Sequence, residues 1–270
     1  MKKSKSRIIT LLTDFGLAEP YLAAMKGVIL EINPEVNIID ISHQIESHSI
    51  AEASFILLNS YHYFPSGSIH MVVVDPEVGS SRRPLLVQTE RYFFIAPDNG
   101  VLSYPLSRER VKLAVEINRS KYFLKQVSCT FHGRDIFAPV AAWLSRGVEA
   151  RKFGSVIKEY QKIRFPSLER KGNRQWVAEV LHIDKFGNII SNIDRSQWRL
   201  FQIESGASSF CLTIGSHKIE TLVENYHQGK NHKLFALFGS SNFLEISSYC
   251  QSVAQIIKAK RGDKIKITLS

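Results

Sequence analysis

The first half of the chain alternates short apolar runs with stretches whose apolar residues recur at helical spacing. The run Ile8 to Leu12 predicts a strand, and Leu22, Met25, Ile29 and Ile32 predict a helix over Tyr21 to Ile32. By the same reading Asn37 to Ile41 is a strand, Ile50 to Tyr61 a helix and Ile69 to Val74 a strand. A hairpin is expected around Thr89-Glu90-Arg91, and a further helix over Ile136 to Leu144. Strand and helix in this rhythm indicate an α/β fold with a largely parallel sheet. In such sheets ligands collect at the carboxyl ends of the strands. Asp14, Asp40 and Asp75 each fall where a predicted strand ends, so they are expected to converge on one edge.

The pattern changes at Phe165 to Gln175, where proline, glycine and charge read as a linker. Beyond it Trp176 to Ile183, Phe210 to Ile214, Lys233 to Phe238 and Lys264 to Leu269 look like strands with little helix between them. Two domains are therefore expected: an α/β domain over residues 1–168 and a smaller β-rich domain over residues 174–270.

Composition narrows the class. The 270 residues are 44% hydrophobic and 22% charged, as in soluble globular proteins. No apolar run approaches a membrane span, and Ile8 to Leu12 meets Asp14 too soon for a signal peptide, so no membrane association is expected. Cys129, Cys211 and Cys250 are odd in number and far apart, which argues against a disulfide framework and for a reducing, cytoplasmic setting. The net charge of +10 raises the question of nucleic acid. That charge concentrates in Lys2, Lys3, Lys5 and Arg7 and again in Lys258, Lys260, Arg261, Lys264 and Lys266, with no nucleic-acid-binding motif beside it. Nucleic acid is not expected as the main partner.

Phosphate-loop, dinucleotide-binding, zinc-protease and serine-hydrolase signatures are absent. What stands out is a set of polar, turn-rich segments: "LLTDFG", "VVVDPEVGSSRR", "APDNG", "TFHGRD" and "HIDKFGN". Each alone reads as an ordinary turn, and His132 with Asp135 lacks a third metal ligand at a recognisable spacing. Together they point to a site, with no metal or cofactor expected.

The segments "TDFG", "PYLAAMKGVI", "VVVDPEVGSSRR", "APDNGVLS", "TFHGRDIFAPVAA", "HIDKFGNIISNI" and "GSSNFLEI" resemble, in order, the signature blocks of the S-adenosylmethionine hydroxide adenosyltransferase family. These are the S-adenosylmethionine (SAM) hydrolases related to fluorinase and chlorinase, and the blocks cover nearly the whole chain. The resemblance implies attack of water on C5′ of the SAM ribose, releasing L-methionine and leaving adenosine. It further implies a β-barrel-like C-terminal domain and a homotrimer with active sites between subunits.

A sulfonium leaves as a neutral thioether, so the reaction needs no general acid at the leaving group. It needs an oriented, partly desolvated nucleophile and a fixed ribose. By the resemblance, Asp75, Arg82 and His132 form the water-activating trio. Asp75 would accept from the water, Arg82 would orient Asp75 and favour hydroxide, and His132 would be a further hydrogen-bond partner or proton relay. The sequence leaves open which of them takes the proton. Asp14 is implied to accept from both ribose hydroxyls, as a carboxylate can. Asp184 and Asn188 are implied to hold the methionine amine and carboxylate with Phe186 beside them, Ser240 to contact the methionyl end, and Tyr226 to stack on adenine.

Three positions depart from the family pattern. Glu77 stands where glycine is usual, which matters if that turn needs a positive φ. Glu19 replaces an aspartate before Pro20 and is a weaker helix cap. Ser247 to Ser252, "SSYCQS", lacks the usual small residues, asparagine and glycine. Three rival readings accompany the hydrolase: a catalytically weak SAM- or adenosine-binding protein, a basic nucleic-acid-binding protein, and a halogenase. The last is disfavoured by Asp75, which would repel a halide, and by Gly133, which stands where the fluorinase has a serine donor.

Overall fold

A computed structural model describes residues 8–270; the basic residues Lys2, Lys3, Lys5 and Arg7 lie outside the described part. The chain divides into two compact units, the first ending at Phe165 and the second spanning Pro166–Ser270.

Among the described residues the first unit is built on a seven-stranded sheet. Its strands are β1 (Ile8–Thr13), β2 (Asn37–Ser42), β3 (Ile69–Val73), β4 (Pro84–Thr89), β5 (Phe93–Pro97), β6 (Val111–Ile117) and β7 (Gly154–Ile157), in the order β2-β1-β3-β5-β4-β6-β7. The neighbours β2, β1, β3 and β5 pair parallel, whereas β5-β4, β4-β6 and β6-β7 pair antiparallel. The sheet is therefore mixed, not largely parallel. The expected hairpin is the cause: the tight turn from Thr89 to Phe93 leaves no room for a crossover, so β4 returns antiparallel beside β5.

Helix α1 (Tyr21–Ile32) presents Leu22, Met25 and Ile29 to the core, where they join Ile9 and Leu11 of β1 and Met71 and Val73 of β3. Its cap is Pro20 without a side-chain bond, so Glu19 does not cap it. Helix α2 (Ile50–Leu58) is shorter than expected, and α3 (Ser103–Leu106) is a single turn. Helix α4 (Ala138–Ser145) continues a π-helical turn over Gly133–Phe137 and buries Val140, Ala141 and Leu144. Such wide turns often sit at functional sites, and His132 immediately precedes this one.

In the second unit eight strands form a nearly barrel-shaped antiparallel sheet. They are β8 (Glu169–Arg170), β9 (Gln175–Ile183), β10 (Ile189–Asp194), β11 (Phe210–Ile214), β12 (His217–Ile219), β13 (Phe235–Phe238), β14 (Phe243–Ser247) and β15 (Lys264–Leu269). The order is β12-β11-β15-β9-β10-β14-β13 with β8 on β9. Trp176, Val180, Ile189, Leu212, Leu244, Ile246 and Ile267 fill its core. Helix α5 (Arg195–Ser205), which the apolar pattern does not predict, opens with a capping box between Asp194 and Gln197 and ends at Gly206 in the left-handed region. A short helix α6 (Val253–Ile257) is capped by Ser252.

Candidate active site

β1 and β3 lie side by side and parallel with Thr13 opposite Val73, so the chain leaves both strands at one edge of the sheet. Asp14 follows the first strand and Asp75 the third, and both line an open cleft of about 260 Å³. Asp40 does not join them. β2 runs on to Ser42, which leaves Asp40 inside the strand, paired with Lys26 at 2.6 Å and 3.1 Å from His43 Nε2. The expectation that three acids converge is corrected to two.

Asp75 is fixed by Arg82, seven residues on. Arg82 Nε donates to Asp75 Oδ1 at 2.9 Å, and Arg82 Nη2 donates to Oδ2 in a bidentate pair. Both side chains are almost wholly withdrawn from solvent, at 5% and 3% exposure. The turn between them needs a positive φ, but at Gly79 (φ 82) and not at Glu77. A Cβ on Gly79 would also fall 2.3 Å from the Cys129 carbonyl oxygen. Glu77 therefore fits this turn.

Arg82 Nη2 also reaches Nδ1 of His132 at 2.8 Å. A guanidinium only donates, so Nδ1 is the acceptor and the ring is neutral with its proton on Nε2. Burial, and then the Arg82 charge, push the His132 pKa below its ordinary value against the opposing pull of Asp75 and Asp135. Asp135 is fully buried and accepts from Arg134 and from the Ser128 N–H. Among the described residues no group of three or more His, Cys, Asp or Glu is placed to hold a metal.

Asp14 accepts the His48 N–H on Oδ2 at 2.9 Å, and its Oδ1 accepts nothing among the described residues. His48 adopts φ 67, a left-handed conformation that an L side chain rarely takes. The motifs singled out in the sequence do not include His48. Phe15, Tyr21 and Phe131 wall the same cleft, each edge-on to the other two with ring centroids 5.3–5.9 Å apart.

In the second unit Asp184 folds its own loop. Its Oδ1 accepts the N–H groups of Phe186 and Asn188, and its Oδ2 accepts the Asn188 side-chain amide at 2.8 Å. Asn188 is buried and the Phe186 ring is 76% exposed. Gly187, at φ 84, lies against Ser252, where a Cβ would meet Oγ at 2.0 Å. The divergent segment Ser247 to Ser252 thus packs on the Asp184 loop. Tyr226 donates its hydroxyl to Glu245 Oε2 at 2.8 Å, and Ser240 is exposed in the turn between β13 and β14. Glu245 lies within an apolar run, where nothing in the pattern marks it.

Family models match both halves of the chain: SAM hydroxide adenosyltransferase N-terminal domain over residues 9–154 and the C-terminal domain over 178–266. The chain belongs to the SAM hydroxide adenosyltransferase family. A relative from Methanocaldococcus jannaschii named (R)-S-adenosyl-L-methionine hydrolase is 34% identical over 96% of this chain and 95% of its own. A solved structure from Thermotoga maritima, described as an uncharacterized conserved protein, superposes with a TM-score of 0.88 at 33% identity, covering 96% of this chain and 99% of that one. A relative from Nocardia brasiliensis named fluorinase is more distant, at 26% identity over 70% of this chain and 72% of its own.

Proposed function

We propose that this protein hydrolyses S-adenosyl-L-methionine to adenosine and L-methionine. Water attacks C5′ of the ribose, the C5′–S bond breaks with its electrons going to sulfur, and one proton is released. The observation that carries this reading is the buried Asp75–Arg82–His132 array, in which each member's hydrogen bonding sets the next.

The array supplies what a water nucleophile needs. Asp75 accepts from the water. His132 Nε2–H donates to its oxygen, because Nδ1 is held by Arg82. Arg82 holds Asp75 in place and, as a cation, favours the hydroxide form. With Nδ1 occupied and Nε2 already protonated, the proton lost by water goes to Asp75. Asp14 then takes the 2′- and 3′-hydroxyls, for which its Oδ1 is free.

For the second unit we assign Asp184 and Asn188 to the methionine amine and carboxylate, with Phe186 and Ser240 at that end and Tyr226 on adenine. The assembly proposed with these roles is a homotrimer with active sites between subunits, and the setting is cytoplasmic. The assembly rests on the family resemblance and the setting on the odd, scattered cysteines Cys129, Cys211 and Cys250; sedimentation at several concentrations tests the first.

A halide would meet the Asp75 carboxylate at the attacking position. Gly133 offers no hydroxyl donor, and a Cβ there would already stand 3.2 Å from Val73 and 3.3 Å from Met25. The test is incubation with SAM with and without fluoride or chloride. Adenosine and methionine in both, with no halogenated nucleoside, is expected; saturable SAM binding without product would favour the binding-protein reading.

A further inference from the structure

The loop from β2 to α2 is tied to the end of β1 at three points. The Gly16 N–H donates to the His43 carbonyl at 2.7 Å, and His43 Nδ1 lies 2.9 Å from Thr13 Oγ1. The third tie is the His48 N–H on Asp14 Oδ2 at 2.9 Å, and no other group among the described residues donates to that carboxylate. Ser47 and His48 line the same cleft as Asp14.

This last bond depends on how one turn is built. The Ser49 N–H donates to the Glu46 carbonyl at 2.9 Å, so Glu46 to Ser49 form a β-turn with His48 at its third position. His48 has φ 67 and Ser47 is not in the left-handed region, which is the pattern of a type II turn. Types I and II differ by a flip of the central peptide, here the one joining Ser47 to His48. The flip that gives His48 its positive φ also directs its N–H to Asp14. In a type I turn that N–H would point away and the Ser47 carbonyl would turn toward the carboxylate. The Ile50 N–H, on the His48 carbonyl at 3.0 Å, holds the turn from its other side. Glycine or asparagine usually fills such a position, and histidine carries a steric cost there.

We propose that His48 is a positioning residue for ribose recognition: its left-handed backbone aims an N–H at Asp14 Oδ2 and so holds the carboxylate with Oδ1 open to the ribose hydroxyls. With a fixed donor on Oδ2, the carboxylate cannot rotate without losing a charge-assisted bond. The role lies in the backbone of residue 48 and not in its imidazole. This rests on the hydrolase reading above, which assigns the ribose to Asp14 and gives His48 no part.

The test measures kcat, KM and calorimetric SAM affinity for the full chain, for His48→Val and His48→Gly, and for His48→Val combined with Asp14→Ala. Valine resists positive φ, so His48→Val should lower kcat/KM about tenfold, the lower end for a hydrogen bond to a charged group, and weaken SAM binding as Asp14→Ala does. Glycine adopts positive φ freely and keeps the N–H, so His48→Gly should recover most of that loss. In the Asp14→Ala background His48→Val should cost little more, because the acceptor is gone. Thermal melts verify folding, and if His48→Val does not fold, His48→Ala, which also disfavours positive φ, takes its place. A folded His48→Val protein with wild-type kinetics overturns the assignment. So does a His48→Gly protein that loses as much as His48→Val, or a His48→Val loss that is undiminished without Asp14. A wild type that neither binds nor hydrolyses SAM takes the hydrolase reading down as well, whereas hydrolysis that His48→Val leaves intact removes only the role of His48.

Discussion

Arg82 Nη2 donates to His132 Nδ1 at 2.8 Å, which fixes the imidazole as the neutral tautomer that presents Nε2–H. Protonating His132 would turn Nδ1 into a second donor facing a guanidinium and break that bond. Since burial and Arg82 hold its pKa below 6.5, the neutral ring persists through neutral pH. The kcat/KM profile should stay flat as pH falls past 6.5 and drop only at lower pH. A fall centred above that value contradicts the arrangement.

Asp75→Ala removes the acceptor for the nucleophile while leaving the ribose acid Asp14 in place. Turnover should fall by about 10²–10⁴-fold, the usual range for a general base, with a much smaller change in SAM affinity. His132→Ala should act in the same direction. Steady-state kinetics beside calorimetric binding checks both.

Asp14→Ala should instead weaken binding and turnover together. A charge-assisted hydrogen bond contributes roughly 1.5–3 kcal/mol, so kcat/KM should fall by about 10- to 100-fold. A change confined to kcat would argue against a ribose contact.

The turn joining Asp75 to Arg82 separates two glycine questions. Gly79→Ala combines a positive φ with a clash on the Cys129 carbonyl, and should cost about 1–3 kcal/mol in stability along with much of the activity. Glu77→Gly relieves no strain, because Glu77 is not in the left-handed region, and should not raise turnover. Thermal melts and rates of the two variants decide this.

His70 should dominate acid sensitivity in the first unit. It is fully buried among Tyr61, Phe64, Tyr92 and Phe94, bonded to Thr10 Oγ1 at 2.8 Å, and burial lowers its pKa from 6.5 to about 3. The unfolded histidine takes its proton near 6.5, whereas the folded one does so only near 3. Its contribution is therefore complete above 6.5 and lost as pH falls toward 3, on the order of 5 kcal/mol in all. Urea unfolding across that range should steepen with acid in the wild type and less so in His70→Leu.

Much of the site could be read from the chain because its acids follow apolar runs. Asp14 and Asp75 terminate β1 and β3, and parallel register then brings them to one edge. Asp40 looks alike in sequence, but periodicity does not say where a strand stops, and β2 continues past it. Periodicity is also silent on strand direction: the turn at Thr89 to Arg91 marks the β4–β5 hairpin, but nothing in the apolar pattern shows β6 and β7 joining antiparallel beyond it. Helix α5 escaped because only Trp198 of its residues is buried, leaving too thin an apolar stripe, although Asp194 and Gln197 stand at capping-box spacing. Glu245 escaped for the opposite reason, as a single acid inside the apolar "FLEI".

The most direct test is to incubate purified protein with SAM in halide-free buffer, follow adenosine and methionine by chromatography, and run Asp75→Ala beside it with SAM binding measured for both. The account predicts equal amounts of the two products from the wild type, and binding without comparable turnover from Asp75→Ala. Undiminished product from Asp75→Ala, or no adenosine from a wild type that binds SAM, would contradict it.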